Sequence, residues 1–382
     1  MSEKFIPYGR QTIAEEDLAA VRDVLLSDWL TTGPKVGAFE KEFAAFCGAG
    51  QAVAVNSGTA ALHCAMNAIG VGPGDEVIVP AITFAATANA AVYEGATPVF
   101  ADIEADTLLI DPDNIAERIT PKTKAIAAVD YAGQPADYDA IHEIAATHGL
   151  RIIADACHSP GATYKGRSVG TLADISAFSF HPVKHITTGE GGLATTDDGA
   201  LAETMRRFRN HGIDTDHKMR AERGLFAYDM AVLGYNYRLN DIQCALGMAQ
   251  LSRLRQWVAA RQAIAARYDA AFAAMEHVAP LVTRADRTNA HHLYVIRLSG
   301  GSEGYRDRAF AQLRDRGIGA NVHYAPVYYH SYYKNRFGHG PGLCPVAEKV
   351  YETILTLPVY PTMTESDADR VIAEVDALSS LA

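Results

Sequence analysis

Apolar residues follow two patterns in the first half of the chain. Between Gln51 and Thr196, short and nearly continuous apolar runs alternate with longer stretches in which apolar residues recur at helical spacing. Continuous apolar runs are typical of strands that are buried on both faces of a sheet. Their alternation with helices predicts an α/β domain in which helices cover one large sheet. The predicted strands are Gln51–Val55, Glu76–Val79, Thr97–Ala101, Lys124–Val129, Arg151–Ala154, Ile175–Phe180 and Gly192–Thr195.

Helical spacing also precedes and separates these strands. The stretches that show it are Ala14–Leu26, Lys35–Cys47, Ser57–Ile69, Phe84–Tyr93 and Tyr138–His148. A longer amphipathic pattern begins at Asn240, where Gln243 completes a variant of the capping box, and continues to Ala271. This pattern predicts one long helix that bridges two domains.

The last third of the chain predicts a smaller α+β domain. Strands are expected at His292–Leu298 and Gly319–His323, and a helix is expected at Tyr305–Arg316. We therefore expect a large α/β domain at residues 1–245, with a helical segment at its start, and a smaller domain at residues 246–382.

Composition narrows the class of protein. A chain of 382 residues with 48% hydrophobic residues can bury a large core. Its formal net charge of −11 disfavours a nucleic-acid partner, because that affinity comes mainly from clustered lysines and arginines. The longest apolar region, Ala81–Ala101, is interrupted by polar residues and cannot supply the roughly 20 apolar residues of a membrane span. Five scattered cysteines and an amino terminus without an apolar core favour a cytoplasmic protein.

Asp155 and Lys184 each follow a predicted strand. Asp155 comes directly after the apolar run Ile152–Ala154, and this places it at the carboxyl edge of the sheet, where open α/β folds bind ligands. A carboxylate there can pair with a cationic ring, although a lone aspartate at a strand end is more often a helix cap or a structural ion pair. Lys184 lies in a turn after Ile175–Phe180. A lone loop lysine is usually solvated, whereas a lysine that forms a Schiff base needs a lowered pKa.

A third candidate feature is the segment Asn56–Leu62, which follows a strand and opens a helix. Its backbone N–H groups and the Thr59 hydroxyl are suited to hold a phosphate. The same residues would also serve as an ordinary serine cap with a glycine for the turn. A lysine amine, a carboxylate and a phosphate cradle are, together with a flat apolar group, what pyridoxal phosphate (PLP) requires of a protein.

Six motifs, in order along almost the entire chain, resemble the DegT/DnrJ-type sugar-nucleotide aminotransferases. They are Asn56–Thr59, Pro80–Phe84, Asp155–His158, Ser179–Lys184, Gly189–Gly192 and Gly234–Arg238. The resemblance implies a PLP-dependent transferase of fold type I (aspartate aminotransferase-like), an α/β fold with a large mixed-sheet domain and a smaller α+β domain at the carboxyl terminus. It also implies a homodimer with a shared active site.

The resemblance also implies roles for individual residues. Lys184 would bind the cofactor covalently, and Asp155 would pair with its ring nitrogen. Gly58, Thr59 and Ser179 would hold the phosphate, Phe84 would stack on the ring, His158 would lie near the ring hydroxyl, and Asn236 would reach the phosphate from the partner subunit. His158 departs from the family pattern, because many members have glutamine there. A dehydratase branch of the family has histidine in place of the lysine, and Lys184 argues against that branch.

The implied reaction moves an amino group from L-glutamate to a keto sugar carried on a nucleotide. Val129–Pro135, His185–Thr188 and Gly234–Leu239 resemble most the branch that acts at C4 in pseudaminic acid biosynthesis. Its substrate is a UDP-linked 4-keto-6-deoxy-N-acetyl-hexosamine of L-configuration. Branches that make perosamine, bacillosamine-type sugars or aminoarabinose remain alternatives.

The sequence also allows other interpretations for the aromatic run near the carboxyl terminus, for a metal site and for the function. The run from His323 to Tyr333 is rich in aromatics and would suit either the nucleotide-sugar or a subunit interface, and only His323 has family support as a substrate contact. Cys157, His158, His181 and His185 fit no standard zinc spacing, so no metal is expected. A regulator that keeps the fold without catalysis is the rival function, and the retained Lys184 and Asp155 speak against it.

Overall fold

A seven-stranded mixed sheet forms the centre of the protein. The computed structural model describes residues 5–215, 224 and 226–381. The strands run in the order β1-β9-β8-β5-β4-β2-β3. Their bounds are β1 Gln51–Val55, β2 Glu76–Pro80, β3 Thr97–Ala101, β4 Thr123–Val129, β5 Arg151–Asp155, β8 Ile175–Ser179 and β9 Gly192–Thr196. A small hairpin, β6 Thr163–Tyr164 with β7 Arg167–Ser168, lies outside this sheet.

Strand direction determines where the site forms. Only β9 is antiparallel to its neighbours β1 and β8, while β8, β5, β4, β2 and β3 pair in parallel. The carboxyl ends of β1, β8, β5 and β4 therefore meet at one edge of the sheet. The predicted strands and the mixed sheet are confirmed, with ends that differ from the predicted ones by at most one residue.

Helices pack on both faces of the sheet. They are α1 Glu15–Leu25, α2 Pro34–Cys47, α3 Gly58–Ala68, α4 Ala86–Tyr93, α5 Pro112–Arg118, α6 Tyr138–His148 and α7 Gly199–Phe208. Two apolar clusters, one on each face, bury the sheet residues. Val53 and Val79 belong to one cluster, and Ala54 and Ile78 belong to the other. This alternation along β1 and β2 explains why the runs are apolar throughout.

The predicted long helix over Asn240–Ala271 is wrong in one respect, because the chain forms two helices there. These are α8 Asp241–Leu251 and α9 Leu254–Phe272. Arg253 separates them with a backbone φ of −105° and ψ of −2°, and its side chain pairs with the buried Asp17 of α1. No proline or glycine lies at this break, and apolar residues keep their helical spacing through it. The sequence pattern therefore does not indicate two helices here. The predicted cap is present, since the Asn240 side chain accepts from the Gln243 N–H.

The remaining chain builds a three-stranded antiparallel sheet with its own apolar core. Its strands are β10 Val278–Pro280, β11 Tyr294–Leu298 and β12 Ile354–Leu357, and its helices are α10 Tyr305–Asp315, α11 Ser331–Phe337, α12 Pro345–Tyr351 and α13 Glu365–Asp376. The strand predicted at Gly319–His323 is wrong, because this segment makes one isolated bridge, Asn321 with Thr356, and the residue before it, Ile318, makes another with Ile6. In the described part of the chain, no helix is long and apolar enough to cross a membrane.

Candidate functional site

A cavity of about 400 Å³ opens where the carboxyl ends of the parallel strands meet. Most of the residues predicted from the sequence line it together: Gly58, Thr59, Phe84, Asp155, His158, Ser179, Lys184 and His323. These residues come from the ends of β5 and β8, the start of α3, the loops after β2, β5 and β8, and the segment after α10. The cavity is therefore assembled by the sheet from distant parts of the sequence.

Asp155 ends β5 and is buried at the floor of the cavity. Its Oδ2 accepts a hydrogen bond from the Thr87 hydroxyl at 2.7 Å, and its Oδ1 accepts the Cys157 N–H at 3.3 Å. The Thr83 hydroxyl lies 2.8 Å from the Thr87 hydroxyl and extends this chain of hydrogen bonds. A carboxylate held by two donors keeps a fixed orientation toward a ligand.

Lys184 approaches the cavity from the turn after β8. Its backbone N–H donates to the His181 carbonyl at 2.8 Å, and its amine lies 3.2 Å from Nε2 of His292. Burial lowers the pKa of the Lys184 amine, while Cys157 and Asp155 oppose that effect. A lowered pKa makes the neutral, nucleophilic amine available.

The start of α3 forms an anion cradle on the same side of the cavity. The first N–H groups of an α-helix have no intrahelical partner and favour an anion, and Gly58 and Thr59 occupy the first two positions of α3. The Ser57 hydroxyl accepts the Ala60 N–H at 3.0 Å and caps the helix. The two readings of this segment, serine cap and phosphate cradle, are therefore compatible.

Glycine at position 58 is required by the approach of α3 to the end of β8. A Cβ there would lie 2.8 Å from Cβ of Ser179 and 3.2 Å from the sulfur of Cys157. This close approach brings the Ser179 hydroxyl beside the first N–H groups of α3. A phosphate would meet helix N–H groups and two hydroxyls at this point, those of Thr59 and Ser179.

Aromatic side chains define the open side of the cavity. Phe84 is 59% exposed and its ring lies 6.0 Å from that of Tyr324. The His158 ring lies 4.3 Å from the His292 ring, and its Nε2 is 3.5 Å from the Tyr324 hydroxyl. The exposed face of Phe84 is thus available to a flat ligand ring.

The fit to PLP is good on the chemistry of these groups. The cavity offers one lysine amine with a lowered pKa, one buried carboxylate, an N-terminal helix cradle and an exposed aromatic face. These are the four groups that the cofactor requires. Within the described ranges, no group of three or more His, Cys, Asp or Glu side chains is arranged to hold a metal ion.

Asn236 lies outside the lining of this cavity and is exposed. Its backbone carbonyl accepts the Asn56 side-chain amide at 3.3 Å, so the segment that carries it is anchored beside the start of α3. The neighbouring Tyr237 carbonyl accepts the Asn56 N–H at 2.8 Å. A reach from Asn236 to the site of a partner subunit stays a prediction, because one chain is described.

His323 lines the cavity and is fixed by its neighbours. Its Nδ1 lies 2.9 Å from the Thr356 hydroxyl, and its ring lies 5.2 Å from that of Tyr8. Burial lowers the pKa of His323 to about 4, so its imidazole is neutral near pH 7. A neutral imidazole can donate or accept a hydrogen bond to a substrate.

Two tyrosines of the aromatic run after His323 belong to the core. Tyr328 and Tyr333 are buried against Phe100, and their hydroxyls bond to Glu348 and Asn89. Only Tyr324 joins His323 in the cavity lining. Tyr332 is 52% exposed, so for the rest of the run a nucleotide-sugar contact and a subunit interface both stay predictions.

Several cavity residues were not predicted from the sequence. They are Tyr8, Leu62, Thr83, Ala86, Val129, Cys157, His181, Val183, Glu190 and His292, and the Thr87 hydroxyl supports Asp155 in the same cavity. Thr83, Cys157, His181, Val183 and Glu190 stand inside the motifs that carried the resemblance, and this was a usable signal. No sequence signal pointed to Thr87 or His292, because an isolated threonine in a helix and an isolated histidine before a strand are common in any core.

Comparisons with known proteins agree with this geometry. Residues 11–376 match the model of the DegT/DnrJ/EryC1/StrS aminotransferase family. The spore coat polysaccharide biosynthesis protein SpsC of Bacillus subtilis (strain 168) is 44% identical over 374 residues, which cover 97% of this chain and 96% of that protein.

Two solved structures are similar over nearly the whole chain. One is the putative sugar aminotransferase Spr1654 of Streptococcus pneumoniae in its pyridoxamine phosphate (PMP) form. It has a TM-score of 0.93 at 34% identity, and the match covers 98% of this chain and 99% of that chain. Helicobacter pylori PseC, an aminotransferase involved in the biosynthesis of pseudoaminic acid, has a TM-score of 0.92 at 33% identity with the same coverage.

These findings confirm fold type I, PLP as the cofactor and aminotransferase activity, since Spr1654 is also known in a PLP form. Family, fold and cavity therefore agree: the chain is a sugar aminotransferase and belongs to the DegT/DnrJ/EryC1/StrS aminotransferase family.

Proposed function

We propose that this enzyme transfers the amino group of L-glutamate to C4 of a nucleotide-linked 4-keto-6-deoxy sugar. The substrate would be UDP-4-keto-6-deoxy-N-acetyl-L-altrosamine, and the product UDP-4-amino-4,6-dideoxy-N-acetyl-β-L-altrosamine. The observation that carries the proposal is the convergence of Lys184, Asp155 and the start of α3 on one cavity. The likeness to PseC supports the choice of sugar.

The residues that line the cavity would each have one role in this reaction. Bound PLP would accept the electrons of the C–H bond from which the proton is removed. Asp155 would keep the ring nitrogen protonated, Gly58, Thr59 and Ser179 would hold the phosphate, and Phe84 would cover one face of the ring. Lys184 would bind the cofactor, and its Nζ, once released, would take up and return the proton that the transfer requires. His158 would lie near the ring hydroxyl, and His323 would contact the sugar.

We further propose a homodimer in which Asn236 of each subunit completes the cavity of the other. The enzyme would act in the cytoplasm. All five cysteines are unpaired and four of them are buried, which suits a reducing compartment.

The substrate is tested with the enzyme loaded with pyridoxamine phosphate. A panel of UDP-, GDP- and dTDP-linked 4-keto sugars is added, and the return of the visible absorption band shows which sugar accepts the amine. We expect the UDP-linked L-sugar to react at least tenfold faster than the others, because a site that hydrogen-bonds one sugar leaves unpaired groups with another. A preference for a GDP- or dTDP-linked sugar would assign the enzyme to a different 4-amino sugar branch. Equal turnover of a 3-keto sugar would refute transfer to C4.

The role of Lys184 has a separate test. Borohydride reduction of the PLP-loaded enzyme followed by peptide mass mapping should place the pyridoxyl label on Lys184. A label on any other lysine, or none, would remove the basis of the proposed chemistry.

A further inference from the structure

We propose that His292 is a positioning residue for Lys184: its neutral imidazole accepts an N–H from the lysine amine whenever that amine is free of the cofactor. The inference rests on the proposed role of Lys184. Nε2 of His292 lies 3.2 Å from Nζ of Lys184, and His292 is buried in the wall of the cavity.

The backbone around His292 is held rigidly. The buried guanidinium of Arg261 donates through Nη1 to the carbonyls of His291, His292 and Val359. The Leu293 N–H donates to the Ala132 carbonyl at 3.2 Å. The imidazole therefore keeps its place while the flexible lysine side chain moves.

The His292 ring is held by packing as well. It lies 4.3 Å from the His158 ring and 5.7 Å from the His185 ring. Its Nδ1 has no hydrogen-bond partner among the described residues. The hydrogen bond to Lys184 is thus the polar contact that the ring makes in the described part of the chain.

The charges around the pair decide which partner holds the proton. The titratable groups that face Lys184 and His292 are Asp155, Cys157, His158, His185, Arg261 and His323. Burial, followed by the charge of Lys184, moves the pKa of His292 well below its usual value. The imidazole is therefore neutral near pH 7, and the proton of the pair belongs to the lysine.

This arrangement has a consequence for proton transfer. A neutral imidazole binds the ammonium form of a lysine more strongly than it binds the neutral amine form, because the hydrogen bond from an ammonium group is charge-assisted. His292 thus stabilises Lys184 after the amine has taken a proton, and it opposes the lowering of the lysine pKa by burial. It also directs the amine to one place between the two half-reactions.

The test measures the reactivity of the free amine against pH. The enzyme is loaded with pyridoxamine phosphate and treated with cyanate, which carbamylates neutral amines, and the label on Lys184 is quantified by peptide mass spectrometry. In His292→Phe the ring remains and the acceptor is lost, so the midpoint of this profile should fall by about one pH unit. His292→Leu should show the same shift if the phenylalanine variant folds poorly.

Two further variants separate positioning from packing. His292→Gln supplies an amide oxygen near the position of Nε2, and its midpoint should return toward that of the wild type. His291→Asn is the matched control, because His291 lies next in sequence, outside the cavity lining, and has a left-handed φ of 48° that asparagine tolerates. Its profile should superimpose on that of the wild type.

The outcomes are distinct. An unchanged midpoint in His292→Phe and His292→Leu, or equal shifts in His292→Gln and His292→Phe, would refute the role of His292. Borohydride labelling of Lys184 in the same variants reports on the proposed function separately. A labelled lysine with an unchanged midpoint refutes only the inference, whereas an unlabelled wild-type lysine refutes the proposed function.

Discussion

At Asp155, a threonine hydroxyl supplies the shorter of the two hydrogen bonds that orient the carboxylate. Thr87 donates to Oδ2 at 2.7 Å, and both side chains are buried. Thr87→Val removes that donor at nearly constant volume and leaves the carboxylate oriented by the longer hydrogen bond from the Cys157 N–H alone. We expect kcat to fall about tenfold, since a hydrogen bond to a charged group contributes roughly 1.5 kcal/mol or more. Steady-state assays with L-glutamate and a keto sugar measure this.

Thr87→Ser is the control for that change, because it keeps the hydroxyl and loses only a methyl group. Its kcat should stay within about twofold of the wild type. Equal values of kcat in the valine and serine variants would show that Asp155 is oriented without Thr87.

The site residues that could be predicted from the sequence are those whose position follows from the order of strands in the sheet. Asp155 and Ser179 end parallel strands, so the shared edge of the sheet brings them together, and Lys184 follows in the next turn. His292 could not be found in the same way, because it lies 108 residues from Lys184 and meets it only through the packing of two sheets. A contact of that kind leaves no spacing pattern in the chain.

At the scale of elements, Asp130 joins the end of β4 to the start of α6 and to the segment after β5. Its carboxylate is fully buried and accepts from the Ala136 N–H, the Tyr138 hydroxyl and the Ser159 hydroxyl. Burial outweighs these donors and raises the pKa of Asp130 to about 6. The folded protein therefore binds this proton more tightly than the unfolded chain between about pH 4 and pH 6, and stability from this group falls as the pH rises through 6.

Asp130→Asn removes this titration and tests it. The free energy of unfolding of the wild type, measured relative to the variant, should be about 1.4 kcal/mol larger at pH 5 than at pH 7.5. Urea unfolding at the two pH values measures the difference. A difference that is constant or grows toward pH 7.5 would show that the native carboxylate is ionised throughout this range.

Elements were predictable where the local sequence decides them. The apolar runs of the large sheet are buried on both faces, so their pattern gives strands directly. The break between α8 and α9 depends instead on the ion pair of Arg253 with Asp17, a residue from the first helix. The segment Gly319–His323 has buried residues but only one isolated bridge, to Thr356, so burial there does not make a strand.

Several large apolar side chains are exposed in the segment of the chain that leads to Asn236. Phe226 is 99% exposed and Leu233 is 77% exposed, and Tyr235 beside Asn236 is exposed as well. Large exposed apolar groups in one segment mark a contact with another protein. A second copy of the chain is the partner that would place Asn236 in a neighbouring cavity.

Subunit complementation tests this shared site. Lys184→Ala and Asn236→Ala are each expected to lose nearly all activity, but their hybrid dimer contains one cavity with Lys184 from one chain and Asn236 from the other. Coexpression with two affinity tags and purification on both isolates the hybrid. Its activity per dimer should be about half that of the wild type, because one of two equivalent sites is intact. A hybrid of Lys184→Ala with Asp155→Ala should stay inactive, since both residues belong to the same side of the cavity. If the first hybrid is as inactive as its parents, each chain builds its site alone and the exposed surface serves another contact.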